Sequence, residues 1–365
     1  MKLLHIADLH LGKRVCEYPM LEDQRVILEE IADIARAERV DALLVAGDVY
    51  DRPVPPQEAT VLLSDFLCRF AEMGIPVYMI AGNHDSAERL SFCEPLLSRE
   101  GVHLVGESRG SVTTAILAGE GGPVALHMLS FTRPVAQRRF LAGEIEDSGQ
   151  MFRAILDKID LSAAPYNVLL AHAFVTGGAQ SESEQVVVGT VDSVPVEVFS
   201  RFDFVAMGHL HRPQSIGNVR YAGSPLAYSF SEIGEGKSVT LVELDGEVRV
   251  RTLPLHPIRE MREVRGRMQE LLAMPYSEDY IRAVVTDEEV APDARITLRT
   301  NFPNLMRFAV ENSHTASDVE VGESEQVAHR DPLELFAEFY EYQSGNAPDE
   351  RRMALMRELL QEVGG

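Results

Sequence analysis

The 365-residue sequence predicts a layered α/β fold with mixed sheets. In its first half, short apolar runs alternate with longer segments of helical periodicity, as in folds built from βα units. Apolar residues recur at helical spacing over residues 26–35 and again over 61–70, where the helix-starting pair Pro55-Pro56 comes first. The predicted strands cover residues 3–7, 42–46, 77–81, 167–171 and 204–207.

The rest of the chain contains shorter elements. Alternating runs in residues 102–128 and 219–253 are broken by Gly and Asp and are typical of antiparallel strands, so the sheets are predicted to be mixed. Residues 258–311 resemble a small α+β appendage. Residues 313–329 are polar and acidic, as in a linker. Asp331-Pro332 and Pro348 are typical helix starts. We therefore divide the chain at 1–255, 256–312, 313–330 and 331–365.

Composition and charge restrict the class of protein. Hydrophobic residues make up 45% and charged residues 25%, as in soluble globular proteins. No apolar run approaches the roughly 18 residues of a membrane helix, so we expect a cytoplasmic protein without membrane contact. The three cysteines show no CxxC spacing, which argues against a disulfide framework or a zinc knuckle. The net charge of −23 argues against tight binding of a polyanion by this chain alone.

Five predicted strands each end next to residues of the types that bind metals. The carboxyl ends of strands in an open α/β sheet form a crevice where ligands bind, so these residues are predicted to form one site. For any single Asp or His, a turn or capping role would be the simpler explanation, but the shared context of all five favours a metal site. The motifs are DLHLG at 8–12, GDVYD at 47–51, GNHD at 82–85, His172, and GHLH at 208–211.

The number and type of these groups predict two metal ions. Seven candidate ligands exceed what one four-coordinate zinc requires. Asp48 is the natural bridge, because its two carboxylate oxygens can bind different ions. Carboxylate, amide and imidazole ligands without thiolate suit manganese, iron or magnesium, and zinc stays possible. The candidate ligands are Asp8, His10, Asp48, Asn83, His172, His209 and His211.

The spacing within the motifs adds geometric expectations. Asp8 and His10 lie two residues apart, as do His209 and His211, and extended backbone would point both members of each pair to the same side. Four glycines at 12, 47, 82 and 208 would supply the tight turns near the ions.

The chemistry that such a pair of cations favours is phosphoester hydrolysis, because two ions stabilise both the attacking and the leaving oxygen. His84 stands next to Asn83 and is free to protonate or orient the leaving oxygen. Asp85 is then a candidate to hold the His84 ring.

These motifs together resemble those of the calcineurin-like metallophosphoesterases. The likeness covers about residues 1–255. The layout of the whole chain, including DPLELFAEFYEYQSG at 331–345, is similar to the DNA nuclease subunits of that family that act with an SbcC-type coiled-coil ATPase.

The resemblance implies two stacked mixed sheets flanked by helices, a capping domain at 256–312, and a helical tail. It also implies two Mn²⁺ ions, with His84 as the catalytic histidine. One ion would be held by Asp8, His10, Asp48 and His211, and the other by Asp48, Asn83, His172 and His209.

The activity implied by the resemblance is ATP-stimulated 3′–5′ exonuclease action on double strands and endonuclease action on single strands or hairpins, in DNA end processing, repair and recombination. The ATPase partner would bind residues 331–365 and would also bind the ATP, since this sequence has no Walker-type glycine loop. A homodimer within a heterotetramer is implied as well.

Several positions stay open at this stage. Asp51 stands where archaeal relatives carry a substrate-handling histidine, so that role is not transferred. Arg52 resembles the phosphate-binding arginine of phosphoprotein phosphatases, although a solvated surface arginine is the simpler interpretation. Arg133, Arg138 and Arg139 are the best local candidates for contact with the DNA backbone, although an exposed helix face is the simpler interpretation.

Two other functions compete with the nuclease. A phosphatase acting on phosphoproteins or small phosphoesters could use the same metal core, and a scaffold could retain an inactive one. The C-terminal 110 residues favour the nuclease, because a simple phosphatase needs no cap, linker and apolar helical tail. The scaffold is disfavoured because no candidate ligand is missing.

Overall fold

The structure, a computed structural model, describes residues 1–119, 122–184, 193–312, 348, 351–353, 355 and 356. The chain divides into two compact units, Met1–Glu311 and Asn312–Gly365. The predicted linker at 313–330 lies outside the described residues. So does the predicted tail at 331–365 apart from the six residues just named, of which 351–353, 355 and 356 are helical.

The first unit contains nineteen strands and eight α-helices within its described residues. The strands are β1 (Lys2–Ile6), β2 (Arg14–Val15), β3 (Tyr18–Pro19), β4 (Ala42–Ala46), β5 (Val77–Ile80), β6 (Val102–Val105), β7 (Thr113–Leu117), β8 (Val124–Leu129), β9 (Tyr166–His172), β10 (Phe174–Val175), β11 (Ser193–Val194), β12 (Phe204–Gly208), β13 (Gln214–Ile216), β14 (Val219–Tyr221), β15 (Ser238–Asp245), β16 (Glu247–Pro254), β17 (Met261–Gly266), β18 (Tyr280–Val285) and β19 (Leu305–Val310). The helices are α1 (Leu21–Glu38), α2 (Gln57–Met73), α3 (Ala87–Leu90), α4 (Glu94–Leu97), α5 (Pro134–Gln137), α6 (Ser148–Leu156), α7 (Met268–Ala273) and α8 (Ala294–Leu298).

Two six-stranded mixed sheets form the centre of the unit, which confirms the predicted fold class. The first has the order β16-β15-β1-β4-β5-β6, and the second has the order β13-β14-β12-β9-β8-β7. Buried residues of both sheets, including Leu3 and Leu44 of the first and Leu126 and Val168 of the second, form one apolar cluster. The sheets therefore stack face to face through a shared core.

Helices cover the outer faces of the two sheets. The first sheet packs against α1 and α2, whose buried residues include Ile27 and Phe70. The second packs against α6, with Phe152 in its core. Both long helices end at a residue with left-handed backbone, Arg39 after α1 and Gly74 after α2. Left-handed caps of this kind satisfy the last helical carbonyls and turn the chain towards the next strand.

The five strands that carry the candidate ligands lie where they were predicted, within one or two residues at either end. The prediction that residues 102–128 and 219–253 form antiparallel strands is only partly right. β7, β13, β15 and β16 are antiparallel to their neighbours, whereas β6 runs parallel to β5, β8 to β9, and β14 to β12. Alternation of apolar residues identifies a strand but not its direction, which depends on the connection before it.

The appendage is a parallel three-stranded sheet, β17-β18-β19, with α7 and α8 between successive strands. Its own core contains Leu271, Ile281 and Phe302. Other side chains of the appendage, Met261 and Tyr280, belong to the core beneath the first sheet. Buried contacts therefore cross the proposed boundary near residue 256, and the division into domains stays a prediction.

Among the helices that the structure describes, none combines the length and apolar composition that crossing a bilayer would require.

A buried histidine between the sheets gives a test of the fold through pH. His5 of β1 is fully buried, and its ring meets Phe204 of the second sheet edge-on at 6.4 Å. Burial, helped by the nearby charge of Arg220, lowers the pKa of His5 from 6.5 to about 3. Below pH 6.5, His5 is therefore protonated in the unfolded chain but stays neutral in the folded chain. The free energy of unfolding consequently falls as the pH falls.

In the parent protein, His5 lowers the free energy of unfolding by up to about 1.4 kcal/mol for each pH unit below pH 6.5, and we expect His5→Leu to abolish this contribution. Urea unfolding of both proteins at about pH 7, 6 and 5, in EDTA, measures the difference in slope. Equal slopes for the two proteins would show that His5 does not stay neutral in the fold.

Candidate metal centre

The candidate ligands converge where parallel strands of the two sheets end. Asp8 follows β1, Asp48 follows β4, and Asn83 follows β5. From the second sheet, His172 closes β9 and His209 follows β12. The structure thus brings together all seven residues predicted as ligands, with His84 beside them, although they are spread over about 200 positions of the sequence. Six of them are buried: Asp8, His10, Asp48, His172, His209 and His211.

Three groups of side chains place their ligand atoms within 4.8 Å of one another. One oxygen of Asp48, Oδ2, lies 3.8 Å from Nε2 of His10 and 3.4 Å from Nε2 of His172. This carboxylate therefore stands between two sets of ligands, as a bridging residue must. The three groups are Asp8, His10 and His211; His10, Asp48 and His84; and Asp48, His172 and His209.

The chemistry of these atoms fits divalent cations. His172 Nδ1 donates to the carbonyl oxygen of Ala46 at 2.7 Å, so in the neutral ring Nε2 carries a lone pair. That atom faces Oδ1 of Asn83 at 2.9 Å as well as the Asp48 carboxylate. The Nε2 atoms of His10 and His211 likewise face each other at 3.1 Å. Electron pairs directed at a common point are what a bound cation neutralises.

The titration behaviour of the buried groups reflects the same crowding. Burial opposes ionisation of Asp48, but the charge of His172 outweighs it and holds the pKa of Asp48 well below its usual range. Burial also opposes the charged form of His172, yet the Asp48 carboxylate raises the pKa of His172 to about 9. Burial lowers the pKa of His209 to about 3. Bound cations would replace this compensation between side chains.

The backbone beneath the ligands is left-handed rather than extended. The φ angles are 55° at Asp8, 44° at His10, 49° at Asp48 and 105° at His209. The expected pairing of Asp8 with His10 on one cavity is observed, but the reason given for it was wrong, because β1 ends at Ile6 and a turn follows. Non-glycine residues in this conformation are strained and cluster at functional sites.

Two glycines allow the close approach of neighbouring loops. A Cβ at Gly208 would collide with the carbonyl oxygen of Ala46, which is the acceptor for His172. A Cβ at Gly82 would collide with the backbone and carboxylate of Asp48. Glycine is therefore required at both positions, because any larger side chain would push the neighbouring loops apart.

His84 and Asp85 are arranged differently from the prediction. The His84 ring is held by the carbonyl oxygen of Asp51, 3.0 Å from Nδ1, and its backbone N–H donates to Asp48 Oδ1 at 2.8 Å. The Asp85 carboxylate instead accepts hydrogen bonds from the backbone N–H groups of Val49, Tyr50 and Gly82. Asp85 thus ties two ligand-bearing loops together rather than orienting the His84 ring.

A buried glutamine that the sequence reasoning missed holds the first loop. Gln24 of α1 donates through Nε2 to the carbonyl oxygen of His10 at 2.8 Å and accepts from the N–H of Gly12 at 3.0 Å. It also donates to the hydroxyl of Tyr228, which in turn donates to the carbonyl of Leu9. Nothing in a helical periodicity distinguishes such a residue from a surface glutamine.

A second missed group orients His211. The Ser183 hydroxyl donates to Glu232 Oε1 at 2.6 Å, so it accepts from Nδ1–H of His211 at 2.7 Å. Lys237 Nζ lies 2.5 Å from the other oxygen of Glu232. Burial opposes the charge of Glu232, but its interaction with the nearby His211 ring and the charge of Lys237 keep the pKa of Glu232 below its usual range. These hydrogen bonds leave the Nε2 lone pair of His211 directed into the cavity.

The remaining polar candidates either contact neighbouring protein groups or lie exposed at the surface. Asp51 pairs with Lys13 Nζ at 2.7 Å, and the Arg52 side chain is 71% exposed, as a surface arginine would be. Arg138 donates to the carbonyl oxygen of Ile145, and Arg139 pairs with Glu107. Arg133 is exposed and lies over the ring of Phe131.

Comparison with known proteins agrees with this geometry. The sequence profile described as "Calcineurin-like phosphoesterase" matches residues 1–213. A second profile, "Type 5 capsule protein repressor C-terminal domain", matches residues 257–344. The chain is 31% identical over 337 residues to the D subunit of the nuclease SbcCD from Staphylococcus epidermidis, covering 88% of this chain and 89% of that protein.

Two solved structures are more distant. A Thermus thermophilus protein, TT1561, is 13% identical, covers 69% of this chain and 98% of its own, and has a TM-score of 0.39. A dimetal phosphatase from Danio rerio is 14% identical, covers 70% of this chain and 96% of its own, and has a TM-score of 0.43. The family assignment rests on the sequence matches and not on these two structures.

The fold and the site define a metallophosphoesterase, an enzyme that hydrolyses phosphoesters with divalent metal ions. Within this class, the chain belongs to the calcineurin-like phosphoesterase family and to its branch of SbcD nucleases, the D subunits of SbcCD.

The hydrogen bonds of Gln24 predict a specific weakness. Gln24→Leu would leave the Gly12 N–H and the His10 carbonyl buried without this partner, so we expect a loss of about 2–4 kcal/mol of stability. We also expect Mn²⁺ to bind several-fold more weakly, because the loop that carries Asp8 and His10 is no longer held. Urea unfolding and metal titration by calorimetry measure the two effects.

Arg25, the next residue of the same helix, provides the control. Within the part of the chain that the structure describes, its ion pairs are with Glu22 and Glu29, and both are exposed. Arg25→Gln should therefore change stability by less than about 1 kcal/mol and leave metal affinity unchanged. Equal behaviour of the two variants would contradict a special role for Gln24.

Proposed function

We propose that this chain is the nuclease subunit of an SbcCD-type complex and hydrolyses DNA phosphodiesters with two Mn²⁺ ions. The observation that supports this most strongly is the Asp48 carboxylate, whose Oδ2 stands between imidazole nitrogens of two separate ligand sets. The S. epidermidis relative, a nuclease by name, directs the choice of substrate towards DNA.

The proposed ligand sets share Asp48. The grouping agrees with the separation of His209 from His211 in the structure, where His211 lies near Asp8 and His209 near His172. We assign one ion to Asp8, His10, Asp48 and His211, and the other to Asp48, Asn83, His172 and His209. When bound, two divalent cations neutralise the phosphodiester charge and activate water as the nucleophile.

His84 is proposed to handle the proton of the leaving oxygen. Its Nδ1 is engaged with the Asp51 carbonyl oxygen, so Nε2 is the ring atom left to hold and deliver a proton. The ring lies edge-on to that of His10 at 4.8 Å, close to the ligands but outside the two proposed sets. Asp85 would act on this step only by fixing the loops that carry Asp48 and Asn83.

The net charge of −23 is compatible with DNA as a substrate if a partner supplies most phosphate contacts. The relative is by name one subunit, D, of the nuclease SbcCD, and we propose that residues 331–365 bind an SbcC-type coiled-coil ATPase, which also binds the ATP. Residues 256–312 would cap the DNA over the metals, and 313–330 would link cap and tail. The complex would act in the cytoplasm on double-strand ends, hairpins and single strands.

We further propose a homodimer of this subunit within a heterotetramer. The first sheet's helices and the segment after β5 expose Val61, Phe92 and Leu96, with 51%, 74% and 60% of each residue accessible. Exposed apolar side chains of this size favour contact between proteins. Light scattering of the isolated chain measures whether this subunit forms a homodimer.

Two substitutions separate metal binding from proton transfer. Asp48→Ala should lose both Mn²⁺ binding and activity, because both proposed ligand sets depend on this carboxylate. His84→Gln should retain metal while turnover falls by about 10²–10⁴-fold, the usual contribution of a positioned acid. Metal content by mass spectrometry and manganese-dependent cleavage of a labelled hairpin duplex measure the two properties.

The same assay includes the competing functions as outcomes. Preference for a phosphopeptide over the hairpin would support a phosphatase, and inactivity of the parent protein on every substrate would support a scaffold. An unchanged rate for His84→Gln would show that this ring does not supply the proton.

Deletion of residues 331–365 tests the partner assignment. We expect the truncated chain to lose co-purification with the ATPase and to keep its own manganese-dependent nuclease activity, because the proposed ligands all lie before residue 212. Loss of the intrinsic activity as well would mean that the tail belongs to the catalytic unit.

A further inference from the structure

A half-buried aromatic ring lies beside the metal centre and has no role in the arrangement described so far. Phe131 follows β8, and its backbone N–H donates to the carbonyl oxygen of Ala81 at 2.9 Å, directly before Gly82 and Asn83. Its ring meets the imidazole of His172 edge-on, with centroids 6.0 Å apart and an interplanar angle of 87°. The chain therefore holds an aromatic side chain in contact with a proposed metal ligand.

The guanidinium of Arg133 lies over this ring, 6.0 Å from its centroid. Arg133 is exposed, and among the residues that the structure describes no carboxylate forms an ion pair with it. The other arginines of this segment are engaged, Arg138 with the Ile145 carbonyl and Arg139 with Glu107. Arg133 is thus the arginine of the segment that lies over the Phe131 ring, at the edge of the site.

Hydrogen bonds on both sides of Phe131 fix its position. Before it, the Ser130 N–H donates to the hydroxyl of Ser108 at 3.2 Å. After it, Thr132 accepts from the buried Gln137 amide at 2.8 Å, and the same amide donates to the Ser108 carbonyl. The segment that carries the Phe131 ring is therefore held beside the metal centre before any ligand binds, which limits the entropy cost of binding.

An aromatic ring with a neighbouring guanidinium is the surface on which nucleobases stack. A phosphate group would use Arg133 but gain nothing from Phe131. A base pair inside a duplex has both faces covered by its neighbours, so only an unpaired or terminal base can use such a surface.

We propose that Phe131 and Arg133 form a platform on which an unpaired nucleobase stacks next to the phosphodiester held at the metal centre. This inference rests on the proposed nuclease function. It adds that the site recognises the base of the nucleotide as well as its phosphate. It makes the enzyme prefer cleavage beside an unpaired base, as at a frayed end, in a hairpin loop or in a single strand.

The test compares two single-stranded oligonucleotides of equal length, one of thymidines and one of abasic tetrahydrofuran residues with the same phosphates. With Mn²⁺, the parent protein should cleave the thymidine strand with kcat/KM about tenfold higher, the usual effect of one stacked base. Phe131→Leu should cleave both strands equally, and Phe131→Tyr should retain the preference. Arg133→Gln should reduce it. Anisotropy of the labelled strands in Ca²⁺ measures the same preference as binding.

The chain contains a matched control pair. Arg139 lies over the ring of Phe140 at 4.6 Å, but this pair packs against Glu107 and Gly110 instead of a proposed ligand. Phe140→Leu should leave the preference unchanged, and all variants should keep the parent's metal content and melting temperature.

Equal cleavage and equal binding of the two strands by the parent, or a preference that survives in Phe131→Leu, would overturn the platform. A binding preference that depends on Phe131 in a protein that cleaves neither strand would support the platform and overturn the nuclease function instead.

Discussion

Lone pairs of oxygen and nitrogen converge on the Asp48 carboxylate at the meeting point of the two sheets. Nε2 atoms of His10 and His172 approach its Oδ2, while its Oδ1 accepts the backbone N–H of His84. Such a concentration of acceptors is unfavourable in a buried site unless cations occupy it. The strand ends, the left-handed turns and the glycines beneath the site all hold these ligand atoms close together. An apolar core would need no such support.

Support for this arrangement comes from residues that touch neither ion in our assignment. Two adjacent residues of α1 contact different parts of the structure. Gln24 holds the loop that carries His10. Asp23 accepts hydrogen bonds from two residues of the appendage, Arg259 at 2.9 Å and Tyr280 at 2.7 Å. One helical turn therefore contacts both the ligand loop and the appendage. Because Met261 and Tyr280 also pack in the core beneath the first sheet, the appendage and the site belong to one compact unit.

Because the chain is so acidic, binding of DNA requires favourable interactions at the cleft itself. Bound metal ions would reverse the sign of the field at the cleft, and an arginine without an ion pair among the described residues, Arg133, adds a positive charge at its edge. Phe131 offers an apolar face in the same place. Stacking does not depend on net charge, so this part of the surface can contribute to binding where phosphate contacts are few.

Much of the fold and the site followed from local patterns. Buried parallel strands are continuous apolar runs, and motifs such as GDVYD and GNHD stand directly after them, so the strands, the long helices and the candidate ligands could be predicted from the sequence. The direction of β6, β8 and β14 could not, because it depends on which strand each one pairs with. The reason for the pairing of Asp8 with His10 was also wrong, since both residues have positive φ angles rather than extended backbone, and their N–H groups donate to the carbonyl oxygens of Gly47 and Asp48.

The sequence by itself determined the class of chemistry, because residue types capable of binding metals follow five separate strands. Only the tertiary structure decided which atoms face each other and which residues support them. Asp85 bonds to backbone groups that lie 35 and 36 positions away as well as to Gly82, and Glu232 reaches His211 through Ser183. Hydrogen bonds between distant segments leave no periodic trace along the chain, because each depends on a distance that exists only after the sheets have stacked.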